Sequence, residues 1–174
     1  MPVFAADDYG PEQIAIRYKA YTRSGTSGFV QAYRDILSNA GAAFGEILRH
    51  LSQTDNEPSA CVFHCTAGKD RTGLLAALLL ALAGVSETDI ADEYALTEAG
   101  LAPLRELFVE RLLKNPALAG DEVGVRNMVS SKRENMLASL EMINNEFGGW
   151  EGYMRKWCGL GDQEIEVLRN RLRA

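Results

Sequence analysis

A cysteine and an arginine stand six positions apart in the stretch His64-Cys65-Thr66-Ala67-Gly68-Lys69-Asp70-Arg71-Thr72-Gly73. A thiol is a nucleophile only as its thiolate, so an enzyme that uses cysteine must lower the pKa of that thiol. Backbone N–H groups of a glycine-containing loop at the start of a helix have this effect, and the same groups cradle a phosphate dianion. The pattern therefore predicts that Cys65 attacks the phosphorus of a phosphate ester.

Two further side chains of the loop have predicted roles in this chemistry. The planar guanidinium of Arg71 suits bidentate contact with two phosphate oxygens and with the charge that develops in the transition state. The Thr72 hydroxyl is placed to stabilise the thiolate when it becomes the leaving group. The predicted phosphate-binding residues are Thr66, Ala67, Gly68, Lys69, Asp70 and Arg71.

The departing oxygen of the ester needs a proton, which a carboxylic acid usually supplies. Asp7 and Asp8 follow a short apolar stretch and are the first candidates, because two adjacent acids help to keep one proton available. Asp70, inside the loop, is the alternative candidate. The residues themselves leave the choice between the three open.

The segments on either side of the loop must position Cys65. The fully apolar run at 60–63 predicts a strand buried on both faces, and the shorter run at 2–4 predicts a weak second strand. A helix is expected to begin near Thr72. A strand followed by a helix presents the loop between them at the positive end of the helix dipole.

Helical patterns account for most of the remaining chain. Pro11 suits the first position of a helix that runs through Tyr21. An apolar stripe at spacings of three and four predicts a long helix over 29–51, in which Gly41 and Gly45 indicate a bend or a close helix contact. The other predicted helices begin at Ser86 as N-cap, follow a leucine stripe over 101–112, run from Met136 to Phe147, and extend from Asp162 to Leu172.

Length and composition limit the classes of protein. The 174 residues predict a single domain, 1–174. The net charge of -6 argues against nucleic acid as a main partner. Three cysteines without framework spacing, and no visible secretory signal, favour a reducing, cytoplasmic setting. The longest apolar run, 74–83, is about half of the ~20 residues that a membrane span needs.

No metal or organic cofactor is predicted. A zinc site built from Cys61, His64 and Cys65 is disfavoured because adjacent residues on a strand point to opposite faces. A nucleotide-binding P-loop is disfavoured because Asp70 stands where that motif needs Ser or Thr after Lys69. The sequence makes no prediction of the oligomeric state.

The loop resembles the signature of the protein-tyrosine-phosphatase superfamily, a Cys-x5-Arg motif preceded by His and followed by Thr. The fuller string with Gly-Lys-Asp-Arg-Thr-Gly is similar to an atypical bacterial and fungal branch with tyrosine, dual-specificity and phosphoinositide phosphatase activities. The similarity extends over nearly the whole chain, at Pro2-Val3-Phe4, 28–37, Ala91-Asp92-Glu93-Tyr94, 148–153 and Gly159-Leu160.

The resemblance implies an α/β fold, with a parallel sheet surrounded by helices. It also implies that this chain is helix-dominated, since relatives carry additional strands before the point at which it begins. Hydrolysis would proceed through a phosphocysteine intermediate. Phosphotyrosine is the favoured substrate; phosphoserine, phosphothreonine and phosphoinositides stay open, the last because Lys69 at this position also occurs in phosphoinositide phosphatases. The alternative is an inactive phosphatase-like domain that binds phosphate or a partner.

Overall fold

The computed structural model of this chain describes residue 3 and residues 11–53 and 61–173. Helices account for most of the described residues, so the predicted dominance of helices is confirmed. The helices are α1 (Pro11–Tyr21), α2 (Ser27–Gln53), α3 (Asp70–Ala83), α4 (Glu87–Ala95), α5 (Thr97–Leu101), α6 (Arg105–Leu113), α7 (Glu122–Met128), α8 (Arg133–Phe147), α9 (Gly149–Lys156) and α10 (Asp162–Arg173).

The 27-residue helix α2 is the centre of the hydrophobic core. It packs against α1, α3, α8, α9 and α10. Its buried face carries Phe29, Tyr33, Leu37, Phe44 and Leu48, which recur at the three- and four-residue spacing of one helical face. The loop helix α3 packs between α2, α4, α9 and α10, so the base of the loop rests on the main core.

The predicted close contact at Gly41 and Gly45 is confirmed. A Cβ atom on Gly41 would lie 2.3 Å from the Trp157 carbonyl oxygen, and one on Gly45 would lie 2.4 Å from that of Cys158. Arg49, one turn further along α2, donates to the Cys158 carbonyl oxygen at 2.9 Å. The two glycines therefore let the backbone after α9 lie directly on α2.

Local signals set several helix boundaries. The Ser86 hydroxyl accepts a hydrogen bond from the Asp89 N–H at 3.2 Å and donates to the Asp89 carboxylate at 2.6 Å, which confirms the predicted start of α4. Gly84 and Gly148 end α3 and α8 in the left-handed conformation.

The leucine stripe over 101–112 predicts one continuous helix, and this prediction is wrong. The structure has α5, a 3₁₀ turn over Ala102–Leu104 and α6 in its place, with Pro103 in the turn. Proline lacks the N–H that a continuous helix needs. Leu104 and Leu107 are exposed, and Val109 is the buried side chain of α6. Val109 joins Leu118 and Val125 in a second, smaller hydrophobic cluster.

The predicted α/β sheet is not confirmed, because the described residues contain no strand. Residues 61–64, the described part of the predicted strand and the His that follows it, have no regular secondary structure. Cys61 is exposed and Val62 is 86% exposed, so this run is not buried on both faces. A strand exists only through a ladder with a neighbour, and no described residue supplies one. The weak second strand at 2–4 lies outside the described residues except for Val3.

Candidate functional site

Residues 64–69 form a loop that leads directly into the first turn of α3. The helix begins at Asp70, two residues earlier than predicted, with Lys69 as its N-cap residue. Gly68 adopts a positive φ of 67°, a conformation that side chains disfavour, so glycine allows the turn after Cys65. The free N–H groups at the start of α3 therefore face the loop.

The environment of Cys65 favours its thiolate. Partial burial raises the pKa of the thiol, whereas the Thr72 hydroxyl and the backbone N–H groups of Thr72, Ala67 and Lys69 lower it. The lowering effects win, and the pKa of Cys65 falls from its ordinary 9.0 to about 7. Thr72 Oγ1 is buried and makes no conventional hydrogen bond to any described residue, which leaves its proton available to the sulfur.

Arg71 lies beside the loop and is partly buried. Its Nη2 atom donates to Thr66 Oγ1 at 3.1 Å, so the guanidinium is held by the loop that it closes. Cys65, Arg71 and Thr72 line one cavity. The apolar wall of this cavity includes Val3, Phe44, Ile47, Phe63 and Leu75. A thiol, a guanidinium and a hydroxyl group thus line one opening.

Lys69 contributes its backbone to the site and turns its ammonium away from the sulfur. The side chain is buried, with the residue 4% exposed. Its Nζ atom donates to the carbonyl oxygens of Met128 at 2.6 Å and Ser130 at 3.0 Å, and lies 3.2 Å from Asp70 Oδ1. Lysine has three N–H donors, and these three acceptors match them.

Two aromatic rings complete the surroundings of the Lys69 ammonium. Nζ lies 4.9 Å from the ring centroid of Phe29 and 5.6 Å from that of Tyr21. A cation over an aromatic face at such distances is stabilised by the ring quadrupole. Lys69 therefore joins the loop to α1, α2 and the segment between α7 and α8.

Asp70 receives a hydrogen bond from a buried tyrosine. Tyr33 Oη donates to Asp70 Oδ1 at 3.1 Å and lies 2.6 Å from Tyr94 Oη. Burial is the first cause that raises the pKa of both tyrosines, and the charge of Asp70 adds to it. The two phenols therefore keep their protons and act as donors.

The remaining predicted site residues have the following places. Thr66 and Gly68 are exposed and Ala67 is half-buried, all on the loop around Cys65. The exposed His64 has its Nδ1 atom 3.0 Å from the carbonyl oxygen of Cys65. Asp7 and Asp8 lie outside the described residues. The structure thus brings the loop residues and Asp70 together.

Sequence reasoning missed the groups behind the loop. Tyr33 and the carbonyl groups of Met128 and Ser130 contact Asp70 and Lys69 from positions far away in the chain, and Tyr94 contacts Tyr33. Tyr33 gave one weak signal, a phenol on the apolar stripe of a long helix, since a buried tyrosine hydroxyl usually has a partner. Backbone carbonyl groups give no sequence signal at all.

The described part of the chain contains neither a helix that could span a membrane nor a cluster of metal-ligating side chains. Across 11–53 and 61–173, no helix is both long and apolar enough to cross a membrane. Within the same part of the chain, no group of three His, Cys, Asp or Glu side chains is gathered in a way that could hold a metal ion.

Comparisons with known proteins give a consistent result. A family model described as "Tyrosine phosphatase family" matches residues 2–174. A tyrosine-protein phosphatase of Nostoc commune is 33% identical over 144 residues, which are 82% of this chain and 48% of that protein. A putative tyrosine-protein phosphatase of Cupriavidus necator is 31% identical over 141 residues, 80% of this chain and 49% of that protein. The chain therefore spans about half the length of these curated relatives.

Proposed function

Because the chain belongs to the tyrosine phosphatase family, we propose that it hydrolyses phosphate monoesters, with phosphotyrosine as the first substrate class. The observation that carries this proposal is the setting of Cys65. Its pKa is lowered to about 7 by Thr72 and by loop N–H groups, in a cavity that it shares with Arg71. A substantial fraction of the thiol is then ionised at neutral pH, as nucleophilic attack requires.

The reaction has two steps. The Cys65 thiolate attacks phosphorus while the bond from phosphorus to the ester oxygen breaks, and an Asp carboxylic acid protonates the departing oxygen. Water then attacks the phosphocysteine and gives a proton to the Asp carboxylate, the bond between sulfur and phosphorus breaks, and the thiolate returns with inorganic phosphate as product. Arg71 and the N–H groups over 66–71 hold the phosphoryl oxygens in both steps, and the Thr72 hydroxyl stabilises the departing thiolate.

The general acid is one of Asp7, Asp8 and Asp70. The contacts of Asp70 fit an orienting role, since its Oδ1 atom accepts from Tyr33 and pairs with Lys69. We therefore place Asp7 and Asp8 ahead of it. Asp→Asn variants separate the three. Loss of the acid slows hydrolysis of phosphotyrosine far more than that of an aryl phosphate whose phenol is acidic enough to leave without a proton.

The position of Lys69 bears on the substrate class. An ammonium held by two backbone carbonyl groups and Asp70 is not directed at additional phosphates of a substrate. This supports substrates with a single phosphate over phosphoinositides. Phosphoserine and phosphothreonine peptides and phosphoinositides are the comparison substrates, and a higher kcat/KM for any of them than for phosphotyrosine peptides would overturn the order proposed here.

The direct test measures phosphate release from an aryl phosphate by the purified chain, with its helical content verified by circular dichroism. Turnover is expected for the wild type and its loss for Cys65→Ser. A folded wild type that releases no phosphate, or a Cys65→Ser variant with unchanged activity, would contradict the proposal.

A second candidate function is phosphate binding without turnover. It is supported by the segment 61–64, which pairs with no described residue as a strand and leaves the residues before Cys65 without the support of a sheet. Vanadate or phosphate would then raise the melting temperature although no phosphate is released. Measurable turnover would exclude this candidate.

A further inference from the structure

Polar groups behind the phosphate loop form a continuous chain of contacts that is buried at Tyr33, Tyr94 and Lys69 and partly exposed at Asp70. Tyr33 has one hydroxyl proton and donates it to Asp70 Oδ1 at 3.1 Å, so Tyr94 is the donor in the 2.6 Å contact between the two phenols. Asp70 in turn lies 3.2 Å from Lys69 Nζ. The chain Tyr94–Tyr33–Asp70–Lys69 therefore runs from α4 through α2 to the loop.

We propose that Tyr33 is a positioning residue of the phosphate loop: through Asp70 and Lys69, its hydroxyl holds the loop in the shape that directs backbone N–H groups at the Cys65 sulfur. The proposal rests on the phosphatase function proposed above, since it assigns to Tyr33 a part in that same site. Tyr33 does not line the cavity that Cys65 and Arg71 share, and it acts through the two residues that join the loop to α3.

The geometry explains why the loop needs this support. Lys69 and Asp70 are the N-cap and the first residue of α3, and the N–H of Lys69 is one of the groups that lower the pKa of Cys65. The Lys69 side chain is buried and the Asp70 carboxylate is partly buried, and at such sites a hydrogen bond is stronger than in water. The glycine at 68 cannot supply such rigidity, because it is the most flexible residue type.

Tyr33 itself is well suited to this role. It is fully buried, and its ring packs edge-on against the rings of Tyr21, Phe29 and Tyr94. These ring contacts hold the side chain of Tyr33 in place and do not involve its hydroxyl group. Removal of the oxygen atom alone should therefore leave the packing of α1, α2 and α4 in place and release Asp70.

Charged and titratable groups reach this region from several elements, and all of them are retained in Tyr33→Phe. They are His64 and Lys69 on the loop, Asp70 and Arg71 on α3, Tyr21 on α1, Tyr94 on α4 and Glu98 on α5. Since Tyr33→Phe changes none of these groups, a shift in the titration of Cys65 reports on the hydroxyl.

The experiment measures the rate at which iodoacetamide alkylates Cys65 between pH 5 and 10. A Cys61→Ser background removes the exposed second thiol, and the buried Cys158 stays protonated because burial raises its pKa to about 12. In Tyr33→Phe we expect a higher midpoint and a roughly three- to tenfold lower rate at pH 6, equivalent to about half to one pKa unit. The acidic limb of the kcat/KM profile, which reports groups of the free enzyme, should shift in the same direction.

Tyr153→Phe is the matched control. Its hydroxyl is also buried and donates to the Leu37 carbonyl oxygen at 2.9 Å on the same helix α2, but in a different part of the core. This control should keep the midpoint of the wild type. An unchanged midpoint in Tyr33→Phe, or an equal shift in Tyr153→Phe, would overturn the proposal.

Tyr94→Phe provides the second variant if Tyr33→Phe does not fold. It removes the donor to Tyr33, so a smaller shift in the same direction is expected, and no shift would again overturn the proposal. Alkylation needs no turnover, which separates the two proposals. A wild type that releases no phosphate while its Cys65 titrates near pH 7 would refute the phosphatase function, and the positioning role would still be decided by the variants.

Discussion

At Cys65, burial and hydrogen bonding act on the thiol in opposite directions. Burial alone would raise the pKa of a thiol and make it inert. Thr72 and the N–H groups of Ala67, Lys69 and Thr72 reverse the sign and bring the pKa to about 7. The reactivity of this cysteine is therefore a property of the loop shape, and it disappears when the loop unfolds.

This difference between folded and unfolded states predicts a pH-dependent stability. Because the folded-state pKa is depressed from 9.0 to about 7, ionisation of Cys65 stabilises the fold fully above pH 9 and not at all well below pH 7. The difference in free energy of unfolding between the wild type and Cys65→Ser should therefore increase in favour of the wild type from pH 7 to 9. Urea unfolding at several pH values measures it.

Cys158 should give a pH dependence of stability with the opposite sign, and it serves as the control. Burial raises its pKa to about 12, so its contribution is full below pH 9 and falls as the pH rises toward 12. The difference in free energy of unfolding between the wild type and Cys158→Ser should be constant up to about pH 8 and then decline. If the difference in free energy of unfolding between the wild type and Cys65→Ser stays constant from pH 7 to 9, the lowered pKa of Cys65 is contradicted.

Arg71→Lys tests the requirement for a planar guanidinium. Lysine keeps the charge but loses the bidentate geometry and the contact with Thr66 Oγ1. We expect kcat to fall by about two orders of magnitude, the loss typical of one removed transition-state donor. Arg126→Lys, which changes an exposed arginine paired with Glu106 and Glu122, should leave kcat within about twofold of the wild type. Comparable losses in the two variants would show that charge geometry at position 71 is not special.

The sequence identifies candidate site residues but not the groups that position them. Cys65 and Arg71 are recognisable as candidates because their chemistry depends on local spacing. The sequence predicts a phosphate contact for Lys69, whose ammonium is buried against carbonyl groups 59 and 61 positions away. Such long-range contacts follow from how helices pack, which local patterns do not encode.

At the scale of elements, Gly41 makes one of the closest backbone contacts of α2. A Cβ atom there would lie 2.3 Å from the Trp157 carbonyl oxygen, so Gly41→Ala must displace backbone. We expect a loss of about 1–3 kcal/mol, the usual cost of overpacking. Gly100→Ala in α5 is the control, because its Cβ meets nothing within 4 Å and the gain in helix propensity should stabilise by about 0.5–1 kcal/mol. Thermal unfolding of both variants measures these changes in stability. Equal changes in the two variants would contradict the close approach of Gly41 to the Trp157 carbonyl group.

The sequence predicts helices correctly where capping residues and apolar periodicity agree. It fails where contacts with distant parts of the chain determine the secondary structure. Pro11 and Ser86 mark the starts of α1 and α4, and the apolar stripe of α2 is continuous. The run at 60–63 was predicted to be a strand from its apolar composition, yet a strand also requires a partner, and the described residues provide none. Whether this chain forms one domain stays a prediction.

At the scale of the whole molecule, the described residues pack around two hydrophobic clusters of unequal size. The large one contains side chains from α2, α3, α4, α8, α9 and α10. The small one has three buried residues, Val109, Leu118 and Val125, and is bordered by the exposed ion pair between Arg126 and Glu106. Exposed ion pairs contribute little to stability, so the small cluster depends on few buried groups.

Local stability should differ between the two clusters accordingly. We expect backbone amides of α6 and α7 to exchange with deuterium faster than those of α2 and α8, because opening the small cluster exposes little apolar surface. Hydrogen exchange followed by mass spectrometry measures this. Equal protection of the four helices would contradict it, and Val125→Ala should increase the exchange of α6 and α7 without a matching change in α2.

Lys69 binds groups that lie far along the chain, so the loop is synthesised before the residues that anchor it. The carbonyl groups that receive its ammonium lie 59 and 61 residues further along the chain. A growing chain therefore contains Cys65 and its loop well before Met128 and Ser130 exist to anchor them. Until then we expect Cys65 to behave as an ordinary thiol, and ordinary thiols oxidise more slowly than thiolates. The lowered pKa of Cys65 should be established only when the chain has been completed through Ser130.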